Sequence, residues 1–513
     1  MECRINLKHI KLKYLSYFVI LNFFFYSLLF YTNIHDPHHH GLMFSNAIDL
    51  LSGKYPYKEI FIQYGLLTTF LHAVVIKIFG YEVIYLNFFT ILIYSLTILI
   101  LFNIVKILTN EKYAFFSTLI ILFNHPIIWL PWSNYISFFF ITLGIYFFIQ
   151  KKFSDNYLSG FFFALAVLSR QDYFIGLFIF LFFLIVFKLI FEKKFYFKII
   201  TFFFFPFLIF FSYLYYFDLL NYWQKIIYLP SIYLENSNTN FFLLFYNFVN
   251  FFIFNVFFNF INQPQYILIL IILICNVVLL FKSIFNKDLD QTLLHFFPLA
   301  MVFTSLNFEL FRLYTSVSIG ILSLISYIYF LKNKDLKFFL NFILIFFSIF
   351  SLFFYPNGGN NIFNKKNFNI QNSNIKFLKF TKISINENFL YNEILNFKEQ
   401  IDNNCNIEYY DNLTFNTFIS PLLGFKRMKV IPYVKNDDKN TKLVTYYDIN
   451  FIENINVQMI NQNIVILSSE DNLNYDFGQI IVPKNYSYKK ILSKDNSDKP
   501  FYYFFYYPSK CLK

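Results

Sequence analysis

The sequence predicts a polytopic α-helical membrane protein of about eleven spans, followed by a small C-terminal α/β domain outside the cytoplasm. Three observations carry that expectation. The chain has 513 residues, 57% hydrophobic and only 14% charged, against about 25% charged in an ordinary soluble domain. Apolar runs long enough to cross a bilayer recur through its first two-thirds, and lysines fall in alternate loops between them. The 81 Phe and 41 Tyr, beside scarce Gly and Pro, look like the bias of an A+T-rich genome and are not read as function.

The N-terminus is basic (Arg4, Lys8, Lys11, Lys13) and precedes a first apolar run from Tyr14 to Tyr31. That run is longer than the apolar core of a signal peptide, and no small-x-small cleavage site follows it. It is therefore expected to stay as an anchor, with its N-terminus in the cytoplasm. Further spans are expected at 83–105, 113–131, 134–150, 157–169, 173–191, 197–217, 265–282, 291–308, 313–331 and 338–355. Arg170 and Asp172 interrupt one long apolar stretch between 157 and 191, which reads as a tight hairpin with those charges at its turn.

The lysines test this layout. Lys106 and Lys112, Lys151 and Lys152, Lys188 to Lys198, Lys282 and Lys287, and Lys332 to Lys337 mark one set of loops. The loops near Pro131 to Asn134, Ser169 to Asp172 and Asn307 to Arg312 carry no lysine. The positive-inside rule puts the lysine loops in the cytoplasm, and the first external loop (33–82) with the Arg170 and Arg312 turns on the outer face. Two segments fit less cleanly. Tyr64–Gly80 would be only about 25 Å long as a helix and is broken by His72 and Lys77. Phe241–Ile261 is dotted with asparagines. Both read as helices in, or dipping into, the outer leaflet.

Residues 1–355 thus form a transmembrane domain, and 356–513 a linker and soluble domain. The linker, Asn357–Asn374, is rich in Asn and Lys, and roughly 130 ordered residues follow it. Asn392–Asp402 reads as a short amphipathic helix, with strand-like runs at Asn406–Tyr410, Asn463–Ser469 and Gln479–Val482. Of the four cysteines, Cys405 and Cys511 both fall in this external domain. A disulfide and two free thiols are both open to them. No CxxC pairing suggests a zinc site. The net charge of +12 lies in short loops rather than a continuous stripe, which argues against nucleic acid as a partner.

The stretch that organises the chain is Asn33 to Gly65. Four of the eight histidines (His35, His38, His39, His40) surround one carboxylate, Asp36, directly after the first span. Leu42 to Ser52 has helical spacing of apolar residues, stopped by Gly53 and Pro56. The loop is therefore expected to run as an extended His/Asp segment, a short helix on the membrane carrying Asp49 on its polar face, and a turn carrying Lys54, Lys58 and Glu59. A carboxylate at that depth can meet a lipid-linked phosphate from the membrane side and a hydroxyl acceptor from the water.

This arrangement resembles the GT-C superfamily of integral-membrane glycosyltransferases, and within it the dolichyl-phosphate-mannose mannosyltransferases. The resemblance rests on Asp36 with its histidines, on LLSGKYPYKEIFIQYG (Leu50 to Gly65), which is similar to the superfamily's G-x-x-P-Y-(Arg/Lys)-(Asp/Glu) segment, and on the hairpin Leu165 to Gly176. It covers about 350 residues of the membrane part. The chain departs from the family pattern next to Asp36, where Pro37 and histidines stand in place of a second acid. The resemblance implies a polyprenyl-phosphate sugar donor, a glycan, lipid or protein acceptor, and a bacterial inner-membrane location with the terminal domain periplasmic.

The chemistry can be assigned residue by residue. An acceptor hydroxyl needs a base within about 3 Å as it attacks the anomeric carbon. Asp36 is the expected base of an inverting hexosyl- or pentosyltransferase. The leaving lipid phosphate needs cations or donors as charge moves onto it. Arg170 and Arg312 fall at outer turns, and guanidinium binds phosphate bidentately; an anchor at the lipid headgroups is the plainer role for them. Lys58, His38, His40, Glu59, Asp172 and Tyr64 are further substrate-binding candidates, although Lys58 could simply snorkel and Asp172 could simply pair with Arg170. His35, Asp36, His38 and His39 are candidate ligands for a divalent ion (Mn, Mg or Zn). A transporter or flippase of a lipid-linked or glycan substrate is the alternative function. The charges gather at span ends rather than at the midplane, and no inverted repeat is visible, which counts against it.

Overall fold

The computed structural model describes 37–62, 64–124, 130–150, 156–193, 195–224, 265–305, 310–353, 370–373, 375–401, 464–468, 482–493 and 501–512, with shorter pieces between, including 19–24, 407–412 and 426–427. The expected first span, Tyr14 to Tyr31, and the segment Phe241 to Ile261 fall largely outside these residues, and so do His35 and Asp36.

Apolar composition makes the membrane part helical, even with Pro206 inside Phe197–Tyr216 and Pro298 inside Leu289–Val302. Its helices are α1 (Pro37–Leu51), α2 (Leu66–Phe79), α3 (Val83–Leu108), α4 (Glu111–Asn124), α5 (Ser133–Gln150), α6 (Tyr157–Ser169), α7 (Tyr173–Glu192), α8 (Phe197–Tyr216), α9 (Gln265–Phe285), α10 (Leu289–Val302), α11 (Leu310–Phe330) and α12 (Lys334–Phe353). From α3 onward they begin and end within a few residues of the runs expected from hydropathy, apart from α4 and α10, which stop several residues earlier. Five described helices (α3, α5, α7, α8 and α9) are long and apolar enough to cross a membrane by length and composition. Large side chains such as Phe182, Ile190, Leu208 and Phe285 point outward from the bundle, as lipid-facing positions do.

Close packing inside the bundle depends on small residues. A Cβ on Gly160 of α6 would lie 2.0 Å from the Ile199 carbonyl oxygen of α8, so only glycine lets those two backbones meet. Polar side chains link the spans: Ser137 Oγ donates to Ala166 O across α5 and α6 at 3.0 Å, and Asn124 Nδ2 donates to Ser348 Oγ between α4 and α12 at 2.7 Å.

One expectation is corrected. The segment expected to be extended is helical from Pro37, so His38, His39 and His40 lie in the first turn of α1. Proline at the first helical position costs no hydrogen bond and has its φ already set for the helix. Burial of His40, Leu42, Met43 and Phe44 then fixes the helix against its neighbours.

The C-terminal unit is α/β. It has β1 (Ile370–Asn372), β2 (Lys382–Ser384), α13 (Ile385–Gln400), β3 (Glu408–Asn412), β4 (Lys426–Arg427), β5 (Ile464–Ser468), β6 (Tyr486–Ser493) and β7 (Phe501–Pro508). β1 and β2 form a small antiparallel pair, and the others form a five-stranded mixed sheet in the order β4-β3-β5-β7-β6. β5 pairs parallel with β3 and antiparallel with β7. The helix expected from Asn392 starts earlier, at Ile385, and Gln479 to Ile481 falls outside the described residues.

One apolar core joins Phe44 and Ala47 of α1, Val75 and Ile76 of α2 and Leu86 of α3 to Leu378, Tyr391 and Phe397 of this unit. The C-terminal unit therefore sits at the same end of the bundle as the first loop. Cys405 and Cys511 are joined by a disulfide, with Cα atoms 6.0 Å apart and a sequence separation of 106. Closing a loop of roughly 100 residues is worth about 4–5 kcal/mol in the chain-entropy treatment. Cys511→Ser should therefore speed cleavage of 356–513 when the full chain is probed by limited proteolysis. Equal resistance in both proteins would show that the bond contributes nothing.

Candidate active site

The site is built where α6 ends. Arg170 caps that helix in an extended conformation, its N–H donating to Ala166 O, and Asp172 stands directly before α7. The Arg170 side chain has no exposure to solvent. A buried guanidinium must have its charge and its donors answered. Here Nη1 donates to Ser133 Oγ at 3.1 Å, Nε donates to Asp172 Oδ2 at 3.2 Å, and Nη2 lies 3.2 Å from the same oxygen. Its carbon Cζ stands 4.6 Å from the centroid of the Tyr64 ring and 5.4 Å from that of Trp132, within cation–π range.

The first loop reaches this turn through its backbone. Gly65 N donates to Ser169 O at 3.1 Å, and Thr68 Oγ1 donates to the same carbonyl at 2.8 Å. A Cβ on Gly65 would lie 1.9 Å from Leu168 O, so this approach requires glycine. α1 arrives from the other side, with the His39 ring 5.3 Å from Trp132. Asn46 Nδ2 donates to Phe61 O at 2.9 Å, tying α1 to the strand of loop that leads to Tyr64. The start of α11 is held at the same end, because Tyr173 OH and Thr315 Oγ1 are 2.8 Å apart. Arg312 lies one turn before Thr315, in the first turn of α11.

The sequence candidates therefore divide. Arg170, Asp172, Tyr64 and His39 come together, and Arg312 is brought to the same end of the bundle by its helix. His40 is buried in α1 and His38 lies in that helix's first turn. Lys58 and Glu59 belong to a separate turn. Lys58 Nζ is 5.9 Å from the centroid of Tyr222, and Glu59 Oε2 accepts from Tyr55 N at 2.6 Å. That turn is anchored by Tyr57, held in the left-handed region at φ 64, whose phenol burial pushes well above its usual pKa. Asp49 pairs with Lys54 at 2.7 Å.

Trp132 and Ser133 are partners that sequence reasoning missed. Their signal was the lysine-free loop Pro131 to Asn134, which shares a face with the Arg170 turn. Of the four candidate metal ligands, His35 and Asp36 lie outside the described residues. Neighbouring residues on a helix point about 100° apart, and His39 is turned onto Trp132. Among the described residues no group of three His, Cys, Asp or Glu side chains could hold an ion.

Gly65→Ala should displace the loop from the α6–α7 turn. The expected loss is about 1–3 kcal/mol of stability, typical of forced overpacking, read as a lower melting temperature of the purified protein. A Tm equal to wild type would mean that this contact is not made.

No protein-family model and no curated sequence matches the chain. Solved structures do. ArnT from Cupriavidus metallidurans bound to undecaprenyl phosphate superposes with a TM-score of 0.51 at 9% identity, over 97% of this chain and 98% of that one. The same protein in its apo state gives 0.48 at 9% identity with the same coverage. An oligosaccharyltransferase from Archaeoglobus fulgidus, tethered with an acceptor peptide, gives 0.45 at 11% identity over 80% of this chain and 63% of that one. At such identity the first likeness establishes architecture. Over almost its whole length the chain has the fold of the ArnT structure.

Proposed function

We propose that this protein is a membrane glycosyltransferase that moves one hexosyl or pentosyl unit from a polyprenyl-phosphate carrier to a glycan, lipid or protein acceptor. The reaction would take place on the outer face of a bacterial cytoplasmic membrane. The observation that carries the reading is the convergence of Arg170, Asp172, Tyr64, Trp132 and His39 at one end of a GT-C bundle. Undecaprenyl phosphate bound to the ArnT structure supports a polyprenyl-linked donor.

In this reading Asp36, the residue directly before Pro37, takes the proton of the acceptor hydroxyl as its oxygen forms a bond to the anomeric carbon. The bond from that carbon to the phosphate oxygen breaks, and polyprenyl phosphate leaves with the electron pair. The configuration at that carbon inverts. Arg312 is the guanidinium proposed to receive the phosphate. Arg170, already enclosed by Asp172, Ser133 and two rings, acts by holding Tyr64 and Trp132 in place. His38, His40, Lys58 and Glu59 remain proposed contacts around the acceptor and the headgroup.

Membranes containing the protein, supplied with labelled polyprenyl-phosphate sugars, are expected to form a glycosylated product. Asp36→Asn should lower that rate by about 10²–10⁴-fold, the usual contribution of a general base, without lowering the melting temperature. Product formation untouched by the substitution would remove the assigned base. Uptake of substrate into vesicles with no glycosyl product would favour a transporter. Arg312→Lys, which keeps the charge and loses the bidentate fork, should cost about tenfold or more in the same assay. Full activity in that variant would leave Arg312 with a headgroup role only.

A further inference from the structure

A second polar cluster lies at the end of the bundle opposite Arg170. α10 and α11 run between the two ends. A Cβ on Gly176 of α7 would come 2.8 Å from Thr304 Cγ2, just past the end of α10, and Thr315 of α11 meets Tyr173. Asp288 and Tyr327 stand at the other ends of these two helices, Tyr327 about 18 Å further along α11 at the α-helical rise. There a cavity of about 350 Å³ is lined by Lys282, Asn286, Asp288, Gln291, His295 and Tyr327. That size is at the small end of ligand pockets.

The floor of the cavity is His295, 1% exposed. Its Nδ1 lies 2.5 Å from Ser323 Oγ, and Ser323 Oγ donates to Asn276 Oδ1 at 2.7 Å. Asn276 Nδ2 is directed at two carbonyls, Ile272 O at 2.8 Å and Gly320 O at 3.4 Å, which fixes its Oδ1 toward Ser323. The single hydrogen of Ser323 is therefore committed to Asn276, and its oxygen must accept from Nδ1–H. A neutral imidazole with its proton on Nδ1 keeps a bare lone pair on Nε2, and the ring is part of the cavity lining. Three buried side chains on three helices, His295, Ser323 and Asn276, thus set that tautomer beside an opening.

The walls supply complementary chemistry. Lys282 is exposed, with Nζ 3.2 Å from Tyr327 OH and 5.2 Å from that ring's centroid. Asp288 uses Oδ1 to accept from Gln291 N at 3.1 Å, which leaves Oδ2 for a ligand. One ammonium calls for an anion, and two acceptors, Nε2 and Oδ2, call for hydroxyl donors. We infer that this cavity binds a phosphate ester carrying free hydroxyls, with the phosphate on Lys282 and the hydroxyls on His295 Nε2 and Asp288. Phe330, 62% exposed, is part of its lining. Such a ligand could arrive from the bilayer as a phosphatidylglycerol headgroup, or from solution as glycerol phosphate. Neither source depends on the sugar-transfer reading of the opposite end.

The test uses the full-length protein in nanodiscs. One arm titrates sn-glycerol 3-phosphate into protein held in phosphatidylcholine discs and measures bound ligand by equilibrium dialysis. The other holds the protein in mixed phosphatidylcholine and phosphatidylglycerol discs, and reads retained lipid by native mass spectrometry after release. One of the two probes should bind, and Lys282→Gln should weaken it about tenfold, as loss of one charge-assisted hydrogen bond does. Because Lys282 is exposed, that loss cannot be put down to misfolding. His295→Phe, which keeps the ring and removes the acceptor, should lower binding comparably. Binding of glycerol phosphate assigns the soluble source, and selective retention of phosphatidylglycerol assigns the lipid. Equal retention of phosphatidylcholine, or binding of both probes unchanged by Lys282→Gln, would overturn the inference.

Discussion

A guanidinium shut away from water is the constraint around which one end of this bundle is assembled. Arg170 has no exposure, and a charge in that position must be answered on every side. The answer draws on three parts of the chain: Asp172 from its own turn, Ser133 at the start of α5 with the Trp132 ring beside it, and Tyr64 from the first loop. Because the fork of N–H groups is planar and rigid, these partners are fixed in direction as well as distance. Two further hydrogen bonds to Ser169 O, from Gly65 and Thr68, then lock the loop onto the same turn.

That assembly gives the protein something a flexible loop alone could not. In the proposed reaction a lipid-linked sugar would stay dissolved in the bilayer while its acceptor came from water, so the two would have to meet at a fixed depth. Anchoring the first loop to the α6–α7 turn sets that depth for α1 and for the chain entering it. The apolar core shared by α1, α2, α3 and the C-terminal unit extends the same scaffold outward. The soluble part is thereby joined to the loop directly and not only through its linker.

Much of this was legible in the residues. Most helix boundaries followed from run lengths, although α4 and α10 stop short of theirs, and the turn at Arg170 and Asp172 followed from two charges interrupting an apolar stretch. The pairing of Tyr64–Gly65 with that turn was not legible, because backbone contacts between segments 100 residues apart leave no local pattern. Trp132 was missed because a single aromatic at a span end looks like an ordinary interfacial anchor. The histidine run was read as extended, since three consecutive histidines favour no conformation strongly. Burial of Leu42, Met43 and Phe44 decided for helix. In the C-terminal unit the strands β3 and β5 were visible, whereas the order of the sheet and the bridge from Cys405 to Cys511 depend on partners far apart in the chain.

The sheet order also has a bearing on how the protein is made. β7, residues 501–508, lies inside the sheet between β5 and β6, not at its rim. β6 can join the sheet only through β7, so during synthesis β6 stays unpaired, and β5 keeps one open edge, until residues 501–508 have been made. Any pause upstream of that point leaves the β5 edge open for as long as it lasts, and an open strand edge is a template for mispairing.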